Sequence, residues 1–529
     1  MTMADKTYED VIGFLSSPGS YGDAAGPIER IDTHGASIFL VGDDAWKVKR
    51  PVKLPYFDFS TPEKRRHFLE RELLVNRDNA PTIYRGLVPV CRASDGSLSF
   101  GGEGEPVEWV LHMRRFPQDQ LLLAHVRRDG MDGRLAEKLA DIVAASHVRA
   151  PVRTCRDGDE RIARIIRQVR DALKAAPDLV PPATANRFGN RADRELQRAA
   201  RSLRMRGERG YVRRCHADLH LGNIVLLDGE PVLFDALEFD EELATIDVLY
   251  DLAFLIMDLI QNGQRPAAQR VLDRYLHRTD APATLYGLAA LPLFLALRAG
   301  VRALVTIDRQ RQMKPVADSS GRVLPDCESR AQVMAYVNAA LDFLSPPPAQ
   351  LVAIGGLSGT GKTTLARALS PEIGAAPGAI HLRTDVERKA IFGVDPLTPL
   401  GPEAYTPEVT AEVYASVVQK AKIALRSGHS VVVDAVFARP DERQAVASAA
   451  ERLKVPFVGL WLTAPSDTLK DRVANRRNDA SDATVAVVER QLSYSTGPIS
   501  WVPIDAGAGS DHTLREARRI LRQKLGALV

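Results

Sequence analysis

The chain has 529 residues, a net charge of +3, 45% hydrophobic and 26% charged residues. At roughly 150 residues per domain this is room for three or four compact units, or two larger ones, of ordinary globular composition. A charge so near zero gives no argument for a nucleic-acid or membrane partner, and the acid-containing start MTMADKTYEDVIGFL lacks the apolar core of a signal peptide.

Four cysteines, at 91, 155, 215 and 327, show no metal-ligand spacing and read as reduced thiols of a cytoplasmic protein. Residues 28–52 alternate apolar and polar positions around two turn sequences, which predicts three short strands in a meander. Lys47 and Lys49 share one face of the third, because side chains alternate along a strand. Residues 61–77 carry helical periodicity, with Thr61 as N-cap and Pro62 at the first helical position. Glu70 and Glu72 lie on that helix, and 107–116 predicts another strand.

The segment 215–240, CHADLHLGNIVLLDGEPVLFDALEFD, carries the chemistry of the first part. It places Asp218 and Asn223 in a loop, then predicts a hairpin turning at Asp228-Gly229 that brings Asp235 back beside that loop. The spacing resembles the aminoglycoside phosphotransferase-like kinases, which share the protein-kinase fold, over about residues 25–343. That resemblance implies a bilobal kinase-like fold using ATP and Mg²⁺. It implies Asp218 as the residue that accepts the acceptor's hydroxyl proton, with Asn223 and Asp235 as metal ligands. It also implies a strand lysine on the α/β-phosphates, Lys47 ahead of Lys49, paired with a helix glutamate, Glu72 ahead of Glu70. His216 would be structural. The sequence departs from protein kinases in having no G-x-G-x-x-G before Lys47, which leaves the Thr33–Ser37 turn as the phosphate cover, and Ala236 after Asp235. Among the acids beyond the hairpin, Asp247 and Asp251 read as caps of a helix N-terminus.

Residues 285–305 form the most apolar stretch but hold Pro292, Arg298 and Arg302, and predict a buried pair of helices rather than a membrane span. The triproline sequence at 345–350 is the clearest linker, so the expected domains are 1–345 and 346–529.

Immediately after the linker, an apolar strand breaks into Gly356-x-x-x-x-Gly361-Lys362-Thr363 and continues as helix-forming sequence. Strand, glycine loop and helix together make a phosphate-binding loop. Gly356, Ser358, Gly359, Thr360 and Gly361 would surround phosphate with backbone N–H groups, Lys362 would reach the β/γ-oxygens, and Thr363 and Thr364 would open the helix. The Thr363 hydroxyl is a Mg²⁺ ligand candidate, as is Asp434, at a strand end within 430–443. Further strands are predicted at 379–385, ending in Asp385, and at 455–465. Alternating strands and helices imply a parallel sheet covered on both faces, an α/β P-loop fold beside the α+β first part.

This half resembles the small P-loop kinases that include polynucleotide kinase, zeta-toxin-like and chloramphenicol phosphotransferase-like enzymes. The resemblance implies Asp385 as general base and Arg388 as an acceptor or phosphate contact. Arg472 and Arg476, spaced four apart on a predicted helix, become lid arginines over the transferring phosphoryl group. The whole reads as two ATP-dependent phosphotransferases in one chain, each acting on a hydroxyl of a small molecule. A nucleotide-sensing regulator with one inactive half, or a nucleic-acid 5′-hydroxyl kinase in the P-loop half, are the other readings of the same motifs.

Overall fold

The computed structural model describes residues 3–22, 26–33, 35–54, 57–279, 281–312, 327–477 and 479–526. By packing, the chain forms two compact units. One is built from residues 1–155 and 207–258, the other from 156–206 and 259–529.

The first unit is organised on an antiparallel sheet. Its strands are β1 (Glu29–Asp32), β2 (Ala36–Val41), β3 (Asp44–Lys49), β6 (Tyr84–Arg92), β7 (Leu98–Phe100) and β8 (Glu105–Arg114), in the order β1-β2-β3-β8-β6-β7; β4 (Lys53–Leu54) and β5 (Phe57–Asp58) form a separate short ribbon. The expected meander is there, β1, β2 and β3 pairing in succession. Neighbouring residues along a strand go to opposite faces. Phe39, Val48 and Val110 pack against Val11 and Leu15 of the helix Met3–Leu15. Leu40, Ala45 and Leu111 pack on the other face against Leu69 of the helix Pro62–Asn76. That second helix starts where its sequence says it should: the Thr61 hydroxyl accepts from the Lys64 amide. Lys47 and Lys49 therefore point toward this helix, on the Ala45 side of the sheet. His34, in the turn proposed to cover phosphate, lies outside the described residues.

Further along, β9 (Val212–Arg214) pairs with β12 (Thr245–Asp247), and β10 (Ile224–Leu227) with β11 (Glu230–Leu233). The turn of the second pair has Asp228 at φ 52° and Gly229 at φ 77°. Two successive positive φ angles give the turn that matches the twist of a two-residue hairpin.

The second unit holds a layer of helices, among them Gly158–Lys174, Arg265–Arg278, Leu291–Gln312 and Cys327–Phe343, and a parallel sheet. The sheet order is β14 (Ile380–Arg383), β15 (Val431–Asp434), β13 (Leu351–Gly355), β16 (Phe457–Thr463), β17 (Val502–Asp505). β17 carries only four residues with an alternating burial pattern and was not expected from the sequence. Val352, Ile354, Leu460 and Ile504 pack against Leu365 and Leu369 of the helix Lys362–Leu369 and against Leu521 of the helix Ser510–Leu525.

One expectation is corrected here. Residues 286–290 form a 3-10 turn that runs into the single helix Leu291–Gln312 rather than a helix pair. Pro292 sits in its first turn, where a missing N–H costs nothing. The helix over Ala283–Arg311 is long and apolar enough to cross a membrane, and 72% of its apolar window is buried within the protein. Grouped by packing, helices on either side of the prolines at 345–350 fall in one unit.

Gly459, in the interior strand β16, faces Trp501. A Cβ there would meet the indole at 2.3 Å, and Trp501 also covers Gly355 of β13. Such overpacking costs about 1–3 kcal/mol. Gly459→Ala should therefore destabilise the second unit by about that amount, read by urea unfolding followed through tryptophan fluorescence. Gly13→Ala, within the helix Met3–Leu15 and with nothing within 4 Å of a Cβ, should not destabilise and serves as the comparison.

Candidate active sites

In the first unit, three elements converge on one ammonium group. Lys47 from β3 donates to Glu72 Oε1 at 2.6 Å and to Asp235 Oδ1 at 3.1 Å. Lys49, two residues on and on the same face, takes Glu72 Oε2 at 2.8 Å and Glu238 Oε1 at 2.5 Å. Glu72 is fully buried, which by itself would raise its carboxyl, but the Lys47 and Lys49 ammonium groups hold it well below the usual range. Burial would likewise lower Lys47, and Asp235 and Glu72 reverse it. Glu238 moves up, because burial outweighs its lysine partner. Glu70, in contrast, pairs with Arg66 on the exposed face of the helix. Of the two candidate pairs, Lys47–Glu72 is the one joined to Asp235.

Asp235 stands just beyond β11 at φ 58°, a conformation that costs a non-glycine residue free energy and persists where surroundings impose it. They do: its amide donates to the Tyr84 hydroxyl at 3.1 Å, and the next amide, Ala236, donates to Asn76 Oδ1 at 2.8 Å. The Asp235 side chain stays 44% exposed while Glu72 has no exposure, so it can still receive a ligand.

The loop 215–223 is held from below. His216 and Ala217 amides donate to Asp251 at 3.2 and 2.8 Å, and the Leu221 amide donates to Asp258 at 2.9 Å. Asp251, in the first turn of the helix Val248–Gln261 as the sequence suggested, is therefore also a loop anchor, and Asp247 caps that helix, accepting from the Leu249 amide at 2.8 Å. Seven residues apart, Asp251 and Asp258 share one helix face, a pattern the sequence displayed but that no motif singled out. His147, Cys215 and Asp251 cluster beneath this loop, with both Asp251 oxygens engaged by the loop amides and His147. The His216 ring bonds the Phe234 carbonyl at 2.9 Å, tying the loop to the hairpin. Asn223, itself buried, donates through Nδ2 to Asp218 Oδ2 at 2.9 Å.

In the second unit the glycines of 356–361 are needed for space as well as for rotation. Gly356 (φ 141°) and Gly359 (φ 87°) would each bring a Cβ to 2.6 Å from a carbonyl, those of Leu462 and Leu469. The loop is tied by Thr360 Oγ1 to the Leu357 carbonyl at 2.8 Å, and by Gln491, whose Oε1 accepts from the Ser358 amide at 2.8 Å. Gly361 precedes the helix Lys362–Leu369, whose first turn holds Thr363 and Thr364. Lys362 Nζ rests on the Leu357 carbonyl at 3.0 Å, and burial lowers its pKa against the pull of Asp434 and Asp385. A cavity of about 430 Å³ adjoins the loop, lined by Thr360, Gly361, Thr364, Arg472, Ala506 and Asp511 among others. That is room for a nucleoside.

Asp434 ends β15 directly beside β13. Although it is buried, a hydrogen bond from His381 (2.8 Å) and the charges of His381, Arg383 and Lys362 hold its carboxyl far below the usual range. His381 and Arg383 were not predicted; both project from β14, where only alternation within a four-residue strand could have pointed to them.

Asp385 lies in the first turn of the helix Thr384–Ile391, not at a strand end, since β14 stops at Arg383. Arg388, one turn on, is buried, donating to the Ala404 carbonyl and stacking over Tyr405 at 4.8 Å. Arg472 donates to the Ala506 carbonyl at 2.9 Å and reaches Gly359 O at 3.5 Å, within the phosphate loop. The helix Ser466–Ala474 ends before Arg476, so the two arginines are not a helical pair as expected. Arg476 lies instead in the following irregular stretch, where its charge is felt by Lys362 and Asp479.

Family models match both parts of the chain. The model of the phosphotransferase enzyme family matches residues 40–288, and an AAA-domain model matches 351–498. An uncharacterized protein of Mycobacterium tuberculosis (strain ATCC 25618 / H37Rv) is 30% identical over 509 residues, 93% of this chain and 95% of its own. Among solved structures, a choline/ethanolamine kinase family protein from Mesorhizobium loti aligns with 64% of this chain and 99% of its own, at 15% identity and a TM-score of 0.38. The Deinococcus radiodurans tunicamycin resistance protein aligns with 34% of this chain and 98% of its own, at 21% identity and a TM-score of 0.26. The chain belongs to the same two-part family as its mycobacterial relative, a kinase-type phosphotransferase in which a phosphotransferase-family domain is joined to an AAA-type P-loop domain.

Proposed function

We propose that residues 1–345 and 346–529 are two ATP-dependent kinases, each moving the γ-phosphoryl group of ATP to a hydroxyl of a small-molecule acceptor. What carries this reading is that each half assembles its own phosphate-directed lysine beside its own metal-competent carboxylate: Lys47 with Asp235, and Lys362 near Asp434.

In the first half, Lys47 contacts the α/β-phosphates, kept charged and aimed by Glu72. Asp218 orients the acceptor hydroxyl and takes its proton as the new O–P bond forms and the bond to the β-phosphate oxygen breaks, leaving ADP. Asn223 and Asp235 offer hard oxygen donors, and Asp235 is accessible, which suits Mg²⁺. In the second half Thr363 and Asp434 offer the same donor chemistry, and Asp385 is the base. Mg²⁺ held by these residues would supply neutralising charge for the phosphates. Arg472, already against the phosphate loop, gives planar donors for charge spread over the equatorial oxygens.

Calorimetric titration of the full chain with Mg-ATP should show two sites, one lost in Lys362→Ala and the other in Asp235→Asn. A lysine that serves ligand rather than core leaves folding intact, so Lys362→Ala should melt as the parent does. Two undiminished sites in Lys362→Ala would sink the assignment of the second half.

Asp218→Asn should behave differently from Asp235→Asn. It keeps both nucleotide sites, because the metal and phosphate contacts remain, yet loses phosphoryl transfer by the first half, since an amide cannot take the hydroxyl proton. Single-turnover transfer from γ-labelled ATP to candidate aminoalcohol or aminosugar acceptors reads this out.

For the second half, Arg472→Ala should lower kcat by about 10³-fold or more, as loss of a transition-state arginine does, with a smaller change in ATP affinity. A rise in KM with kcat unchanged would mark Arg472 as a ground-state contact.

A further inference from the structure

β14 (Ile380–Arg383) is an edge of the parallel sheet, paired on one side only, with β15. An edge leaves backbone N–H and C=O groups without a strand to bond. Here a helix supplies the missing partners through its side chains. Gln269 Nε2 donates to the Ala379 carbonyl at 2.9 Å, and Asp273 Oδ1 accepts from the His381 amide at 3.1 Å. Gln269 also bonds Asp273 Oδ2 at 2.5 Å, which fixes the pair to each other. One turn earlier, Arg265 Nε donates to the Pro377 carbonyl at 3.0 Å. Positions 265, 269 and 273 are spaced four apart and so share one face of the helix Arg265–Arg278. That helix falls within the residues matched to the phosphotransferase family, while β14 falls within those matched to the AAA domain.

The contact does not stop at the sheet edge. His381, whose amide Asp273 holds, turns its ring to Asp434 Oδ2 at 2.8 Å. Three links thus join the helix to the carboxylate at the end of β15: Asp273 to the His381 backbone, backbone to imidazole, imidazole to Asp434. We propose that Asp273 is a positioning residue of the P-loop kinase: by fixing His381 it aims Asp434, so that a helix from the phosphotransferase-family part of the chain sets the metal requirement of the P-loop site. This rests on the reading of Asp434 as a Mg²⁺-directed group given above. The physical ground is that a carboxylate's readiness for a metal depends on what holds its other oxygen, and losing such an outer partner typically costs 10–100-fold in metal affinity. Asp434 has one oxygen committed to His381, and His381 can keep that geometry only while β14 stays in place.

The test uses the full-length chain and a non-hydrolysable ATP analogue, following the part of the nucleotide-binding signal that Lys362→Ala removes. Mg²⁺ is titrated at fixed nucleotide. Asp273→Leu, which removes the acceptor for the His381 amide, should raise the half-saturating Mg²⁺ concentration ten- to a hundredfold, and His381→Leu should do the same. Asp273→Asn, whose amide oxygen still accepts from that N–H, should restore the requirement to within about threefold of the parent. Nucleotide affinity in EDTA should be unchanged in all three, and hydrogen exchange over 379–383 should rise in Asp273→Leu but not in Asp273→Asn. An unchanged Mg²⁺ requirement in Asp273→Leu overturns the proposal. So does an equal loss of metal-free nucleotide binding, which would mean that the helix merely supports the fold. If Lys362→Ala removes no signal, the P-loop reading itself is wrong and the proposal falls with it; the exchange data, which need no nucleotide, tell that failure apart from a failure of the helix contact.

Discussion

A carboxylate with no access to water, Glu72, is the constraint on which the first unit turns. Its two oxygens are divided between Lys47 and Lys49, and an ion left alone at that depth would cost several kcal/mol. The three residues therefore come as a set. The helix Pro62–Asn76 must dock on the lysine face of β3, and the apolar residues around them fix that docking. Asp235 and Glu238, on the segment after β11, then complete the charge balance, one on each lysine. The consequence is a lysine preset in position and charge before any phosphate arrives, with one of its partners, Asp235, still half open.

The second unit solves a related problem with backbone rather than charge. Its phosphate loop is shaped by glycines pressed against carbonyls of Leu462 and Leu469, so the loop's path is dictated by the neighbouring strand and helix. Lys362 meanwhile bonds a carbonyl of its own loop, a neutral partner that a phosphate oxygen would outcompete. One site is thus poised by ion pairs that persist, the other by a weak contact that is given up.

How much of this was legible in the sequence follows from how local each determinant is. The phosphate loop, the Thr61 cap and the Asp228-Gly229 turn are set within a few residues, and they stand where the sequence put them. So does Asp434, because a strand end next to a phosphate-loop strand is a topological position. The pairing of Lys47 with Glu72 was readable only through family resemblance, since twenty-five residues and a docking geometry separate them. Misplaced residues were those whose setting depends on where an element stops. Asp385 entered a helix because β14 is short, and Arg476 left one because the helix closes at Ala474. Asp273 and Asp258 stayed silent, and Asp251 showed only as a helix-terminal acid, because each acts on a backbone group distant in sequence, and a backbone group has no letter in the sequence.

The edge of β14 bears on how such proteins can be cut apart or shuffled. Triproline at 345–350 invites separation there, and a fragment beginning after it would keep every residue of the phosphate loop. It would also uncover the Ala379 carbonyl and the His381 amide, the kind of open sheet margin that recruits another strand and aggregates. Recombination between genes would meet the same obstacle: a P-loop segment moved to a new host would need a substitute for the helix Arg265–Arg278 along its margin. The two parts, separable by family, are therefore tied in solubility, which gives a physical reason for a fusion of this kind to be inherited whole.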